Sequence, residues 1–184
     1  MKFSKIFAFF LSATLFTTAV NAQEKTVEVG GAAMYPSKNI IENAINSKDH
    51  TTLVAAVKAA GLVETLQSAG PFTVFAPTNE AFDKLPKGAV DNLVKPENKD
   101  MLTKILTYHV IAGKYDSKAI ADLIKAGNGK ASLKTVSGGI LMFWMKDGKL
   151  MLTDEKGNMA TVTIKNVYQS NGVIHVIDNV VMPK

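Results

Sequence analysis

The sequence predicts an α+β domain, with a helical first half packed on a mostly antiparallel β-sheet. Three observations lead there. Between Ser37 and Ala126 apolar residues recur mainly at three- and four-residue spacing, the period of one helix face. Beyond Ala131 the pattern changes to short extended runs. Those runs are separated by Gly138-Gly139, Asp147-Gly148, Gly157-Asn158 and Asn171-Gly172, dipeptides that favour tight turns and hairpins. Helices followed by strands, rather than alternating with them, argue against a repeating βαβ fold.

The elements follow in order. Residues 23–36, with Gly30-Gly31 and Pro36, form an arm leading into the domain. Ser37 caps a helix running to Asn46, with Ile40, Ile41, Ala44 and Ile45 on one face. A second cap lies between Asp49 and Thr52, opening a helix with Leu53, Val54, Val57 and Ala60 as its stripe and Gly61 as its stop. Leu62 to Leu66 adds a short third helix. Phe72 to Ala76 is a β-rich run ended by Pro77, and Thr78 caps a helix carrying Ala81, Phe82 and Leu85. A helix spans Asn98 to Thr107 with Met101, Leu102, Ile105 and Leu106 on its apolar face. Tyr108 to Ile111 is expected as a strand, and Ser117 to Ala126 as a helix closed by Gly127.

The N-terminal residues carry an address. Lys2 and Lys5 precede an apolar stretch from Ile6 to Phe16 and the small residues around Val20-Asn21-Ala22, the pattern of a secretory signal peptide over residues 1–22. Cleavage after Ala22 leaves 162 of the 184 residues, enough for one self-sufficient core. It also lowers the net charge from +5 to +3 through loss of the two lysines. The apolar stretch is too short for a membrane span, so no membrane insertion is expected after cleavage. With no cysteine, neither a disulfide framework nor an N-terminal lipid anchor on cysteine is available. An exported product, periplasmic or secreted, is the expectation. All 21 basic residues are lysine, and they are scattered among acids and apolar residues. Nucleic-acid recognition, which recruits the bidentate guanidinium of arginine, is not expected.

Three blocks in order resemble the fasciclin domain family: Thr73-Val74-Phe75-Ala76-Pro77-Thr78-Asn79-Glu80-Ala81-Phe82, the pair Tyr108-His109, and Asn171-Gly172-Val173-Ile174-His175-Val176-Ile177-Asp178-Asn179-Val180-Val181-Met182-Pro183. The resemblance covers almost all of residues 37–184, which it implies are a single fasciclin-like domain, its helices packed on an antiparallel sheet or wedge. It further implies an extracellular adhesion or interaction module. Read physically, Thr73, Phe75, Pro77, Thr78, Phe82, Asn171, Gly172, His175 and Asp178 build the scaffold. Thr73 and Phe75 share one strand face, Pro77 and Thr78 fix the turn into a helix, and Asn171-Gly172 suits a turn with unusual backbone angles. Apolar residues on both faces around His175 mark a buried strand, and Asp178 is placed to accept backbone hydrogen bonds at its end.

Candidate sites are few. His175, inside Val-Ile-His-Val-Ile, reads as a hydrogen-bonded core imidazole. Tyr108 and His109 carry an implied partner-binding role by family resemblance, against a packing role. Ile140-Leu141-Met142-Phe143-Trp144-Met145 is apolar on both faces: either a covered core strand, or a strand whose Phe143 and Trp144 segment offers a contact face. Met34 and His50 are an alternative pair, since thioether and imidazole suit copper; that role would make the protein a periplasmic metal or small-ligand binder. No Gly-x-Ser-x-Gly elbow, His-Glu-x-x-His helix or cysteine nucleophile is present, and Gly127-Asn128-Gly129-Lys130 follows a helix rather than a strand, so it reads as a turn. Asp147, Asp154 and Glu155 lie in or beside hairpin turns, where solvated acids are common. The expectation is a non-enzymatic protein without a cofactor, contacting a cell-surface or matrix protein or glycan.

Overall fold

A computed structural model describes residues 25–184. The expected signal peptide over residues 1–22 lies outside them. Strands β1 (Val27–Val29) and β2 (Ala32–Met34) pair antiparallel through Gly30-Gly31, whose φ of 58° and 73° lie in the left-handed region that favours glycine. The segment expected as an arm is therefore a hairpin, and Val29 and Met34 bury its inner face in the core.

Helix α1 (Ile40–Ala44) begins two residues later than a cap at Ser37 predicts. Asn39 is the cap: its side chain accepts the Glu42 N–H at 2.9 Å, and the Glu42 carboxylate accepts the Asn39 N–H at 2.8 Å. Helix α2 (Thr51–Ala60) follows a 3₁₀ turn at Lys48–His50 and has no cap from its own first residues. Asn79 supplies it from outside, its Oδ1 accepting the Thr52 N–H at 3.0 Å. Gly61 ends α2 at φ 74°, as the sequence predicts. Helix α3 (Val63–Gln67) leads to strand β3 (Phe72–Pro77), and Thr78 caps helix α4 (Asn79–Asp83) through the Ala81 N–H. Helix α5 (Ala89–Leu93) was not legible, being one short turn with no fully buried residue. Helix α6 (Lys99–Tyr108) runs through Tyr108, which was expected to start a strand; strand β4 (Val110–Ala112) begins only after His109. Helix α7 (Ser117–Ala126) is capped by Asp116.

Strands β5 (Lys130–Lys134), β6 (Ile140–Lys146), β7 (Lys149–Thr153), β8 (Met159–Gln169) and β9 (Gly172–Ile177) complete a seven-stranded sheet of order β4-β3-β9-β8-β7-β6-β5. Every pair is antiparallel except β3 with β9, so the predicted fold class holds. Eleven-residue β8 pairs with both β7 and β9. Its register slips between Val162 and Ile164 and again before Val167, and Asn166 adopts φ 60° there. Such bulges bend a strand and raise its twist.

The sheet separates two cores. Val74, Ala76, Ile174 and Val176 face α1, α2, α4 and α6. Phe75 and Ile177, on the opposite face, meet α7 and the inward residues Leu141, Phe143 and Leu152 of β6 and β7. Strands β3 and β9 are thus buried on both faces, which is why their sequences are apolar without alternation. Asp147-Gly148 forms the expected hairpin turn, both residues left-handed at φ 50° and 75°. Asn171-Gly172 does not. The β8–β9 connection turns at Ser170-Asn171, and Gly172 is glycine because a Cβ would collide with the Phe72 carbonyl oxygen of parallel β3.

Candidate interaction surface

The strongest polar constellation in the fold is structural. Asn171, buried at the β8–β9 connection, accepts the Ile40 N–H at 3.0 Å and donates to the Leu66 and Ser68 carbonyls, both at 2.8 Å. One side chain thus joins α1, the end of α3 and the sheet. His175 is fully buried, lies against the Phe75 ring at 5.5 Å, and bonds the Tyr115 carbonyl through Nε2 at 2.9 Å. Burial lowers its pKa, so the imidazole is neutral. Thr73 bonds the Gly113 carbonyl, Phe82 and Pro77 are buried, and Asp178 accepts the Thr161 N–H at 2.7 Å.

Tyr108 and His109, for which the resemblance implies partner binding as against packing, are 0% and 2% exposed. The Tyr108 hydroxyl donates to the Ile140 carbonyl at 2.7 Å and accepts the Glu155 N–H at 3.1 Å. Burial, with the nearby Glu155 and Asp154 charges, pushes its pKa up to about 12. His109 Nδ1 lies 2.8 Å from the Ile105 carbonyl, and its Nε2 accepts the Val181 N–H at 3.2 Å. Those bonds fix a neutral tautomer, and burial pulls its pKa down to about 4. Phe143 is also fully buried, its ring 5.2 Å from that of Phe75. Three of the four expected contact residues therefore hold the fold. The reason is common to them: α6 ends against the inner face of β3, and odd-numbered Leu141 and Phe143 point into the same core.

Trp144 points the other way. The outward residues of β6 are Ile140, 48% exposed, Met142, 38% exposed, and the half-buried Trp144, whose Nε1 donates to Thr153 Oγ1 at 3.0 Å. Register places Met151 of β7 opposite Trp144, and Met159, 52% exposed, opposite Thr153. Edge strand β5 adds Lys130 opposite Trp144 and Lys134 opposite Ile140. The outer face of β5–β8 is an apolar, methionine-rich surface bordered by lysine. The sequence left this strand's two faces undecided; the structure covers one and exposes the other.

Met34 and His50 are both buried and line one apolar cavity of about 80 Å³ between the helices and the sheet. Ser47 Oγ bonds His50 Nδ1 at 2.9 Å, while Nε2 has no hydrogen-bond partner. Burial lowers the His50 pKa; the Ala76 backbone and the Asp49 charge offset part of this, although Ala76 closes no hydrogen bond. The donors do not fit a resident copper ion. His109, the other imidazole on the cavity wall, has both nitrogens engaged, and among the described residues no three His, Cys, Asp or Glu side chains converge. No described helix is long and apolar enough to cross a membrane.

Comparison with known proteins matches residues 48–183 to the family model described as Fasciclin domain. Protein sll1483 of Synechocystis is 47% identical over 170 residues, covering 92% of this chain and 87% of that protein. The Immunogenic protein MPB70 of Mycobacterium bovis is 37% identical over 145 residues, 76% of this chain and 66% of the relative. The Cell surface glycolipoprotein MPB83 of the same species is 33% identical over 187 residues, 91% of this chain and 77% of the relative. A solved FAS1 domain pair from the insect cell adhesion molecule fasciclin I superposes with a TM-score of 0.71 at 18% identity, covering 79% of this chain and 51% of that one. The chain thus spans about half of that domain pair.

Proposed function

The chain belongs to the fasciclin domain family, a family often related to cell adhesion, and we propose that it is an exported, non-enzymatic interaction module whose contact surface is the outer face of β5–β8. Export is supported by the signal-like residues 1–22 and by similarity to a relative named as a cell surface glycolipoprotein. The observation that carries the surface assignment is the outward row Ile140, Met142 and Trp144, continued by Met151 and Met159. Apolar patches of this kind mark contact sites on soluble domains, and methionine and tryptophan suit interface centres. Lysines 130 and 134 along one edge favour a protein partner carrying acidic groups beside an apolar anchor.

The histidines, which would be the natural catalytic groups, support this reading by being consumed in structure. His109 and His175 are neutral and hydrogen-bonded in the core, and His50 is buried beside an apolar cavity. A partner is a cell-surface or matrix protein. Oxidation footprinting with and without cell-envelope protein tests the assignment. Protection of Met142, Met151 and Met159, with Met101 unchanged as an internal reference, supports it. Unaltered oxidation of all three while envelope protein is bound contradicts it.

A further inference from the structure

Three thioethers surround one residue on the outer face. In the register of the sheet, Thr153 of β7 stands directly opposite Met142 of β6 on one side and Met159 of β8 on the other. Met151 precedes Thr153 by two residues on β7, so strand alternation puts it on the same face. Directly opposed Cβ atoms lie roughly 4.5–5.5 Å apart, and positions two apart on one strand roughly 6.6 Å. A methionine side chain, with three rotatable bonds and its sulfur two atoms beyond Cβ, spans such separations. Thr153 is short, so the space above it is left to these longer neighbours.

Trp144 reaches the same spot. It stands opposite Met151, and its indole extends diagonally to Thr153, where Nε1 donates to Oγ1 at 3.0 Å. That bond holds the ring at the edge of the space that the three thioethers border. Met142 and Met159 are exposed, and Met151 and Trp144 are half-buried, so the group is open to solvent.

The donor set selects its ligand. Thioethers are soft and uncharged, and they favour copper(I) over divalent ions, which prefer imidazole or carboxylate. Among the described residues no three His, Cys, Asp or Glu side chains converge, so a divalent ion has no comparable set of donors. Lysine borders the face, with Lys130 opposite Trp144 and Lys149 opposite Lys146, and this charge repels a divalent ion about twice as strongly as a monovalent one. An indole also attracts a cation within roughly 6 Å of its ring centroid. We propose that Met142, Met151 and Met159 form a surface site for a soft monovalent cation, copper(I), beside Trp144. The site is separate from the buried Met34 and His50. It rests on strand register and donor chemistry, and stands whether or not the face also contacts a protein.

Silver(I), closed-shell and soft like copper(I) but stable in air, is the first probe. Trp144 is the only tryptophan of the chain, so its fluorescence reports occupancy. Titration of the purified protein with silver nitrate in chloride-free buffer, followed by calorimetry and fluorescence, is expected to show one ion bound per chain, with quenching that tracks binding. Copper(I) supplied anaerobically displaces the silver, and zinc(II) does not. The double variant M142L/M159L weakens silver binding at least tenfold, the lower end of what even a supporting residue around a metal contributes. M101L/M145L, which removes two exposed thioethers elsewhere, changes it less than twofold. Leucine preserves the apolar face, so these results do not depend on whether a protein docks there. Absence of silver binding, binding without quenching, equal weakening by M101L/M145L, or silver retained against copper(I) overturns the proposal. Thermal melts verify folding; should M142L/M159L not fold, M159L, at the most exposed of the three positions, decides by the same comparison.

Discussion

His109 Nε2 accepts the backbone N–H of Val181 at 3.2 Å, linking the end of α6 to the C-terminal segment across 72 residues. The bond needs an unprotonated Nε2. With Nδ1 bonded to the Ile105 carbonyl, one neutral imidazole satisfies a helix end and the chain terminus together. A residue expected to touch a partner is instead a clasp in the core.

That clasp makes stability depend on pH. The folded pKa of His109 is lowered to about 4, from an ordinary value of 6.5, so the unfolded chain binds more protons between those values. The contribution is complete above pH 6.5 and is lost as pH falls toward 4. Urea unfolding at pH 7 and pH 5 should show a loss of about 2 kcal/mol from this group alone. Burial lowers His175 and His50 in the same direction, adding to the loss. Stability that does not fall between pH 7 and pH 5 contradicts the assignment.

Asn171→Ala should be among the most damaging polar truncations. It orphans the buried Ile40 N–H and two carbonyls, at Leu66 and Ser68. A cost of about 2–4 kcal/mol is expected from chemical denaturation, allowing roughly 1–3 kcal/mol for each buried group left unpaired and partial rescue by water. A change below 0.5 kcal/mol, on the order of a neutral surface substitution, would remove Asn171 from its organising role.

Gly172→Ala tests close backbone approach rather than turn geometry. The added methyl runs into the Phe72 carbonyl of β3, so strands β3 and β9 must separate locally. Destabilisation of about 3 kcal/mol is expected, at the upper end for overpacking. By contrast Gly148→Ala, with open space at Cβ but φ of 75°, should cost only about 1 kcal/mol through backbone strain. Comparable thermal midpoints for the two variants would refute this distinction.

Tyr108→Phe removes a buried hydroxyl that serves one donor and one acceptor. The Glu155 N–H and Ile140 carbonyl lose that partner, for an expected cost of about 1–3 kcal/mol by urea unfolding. The phenol should also titrate abnormally late, its ultraviolet transition coming at about pH 12 rather than near 10.

The legibility of this fold followed where the determining physics was local. Thr78 and Gly61 could be read because a cap and a stop act within a few residues. Asn39, not Ser37, caps α1, and its capping box with Glu42 lies within four residues of sequence. Helix α2 could not be read correctly at its start, since Asn79 caps it from 27 residues away. The same limit governed the surface. Ile140 to Met145 is apolar on both faces, and only the coverage of Leu141 and Phe143 by α7 and β3 separates core from outer face.

The most direct test sets the outer face against the buried tyrosine-histidine pair. Wild type, M142E and Y108F are compared for capture of the cell-envelope protein whose binding protects Met142, Met151 and Met159 in footprinting, at a temperature where all three are folded. Capture reduced at least tenfold by M142E, with its unfolding midpoint unchanged, and retained by the less stable Y108F is the predicted result. Capture abolished by Y108F and undiminished by M142E would contradict it.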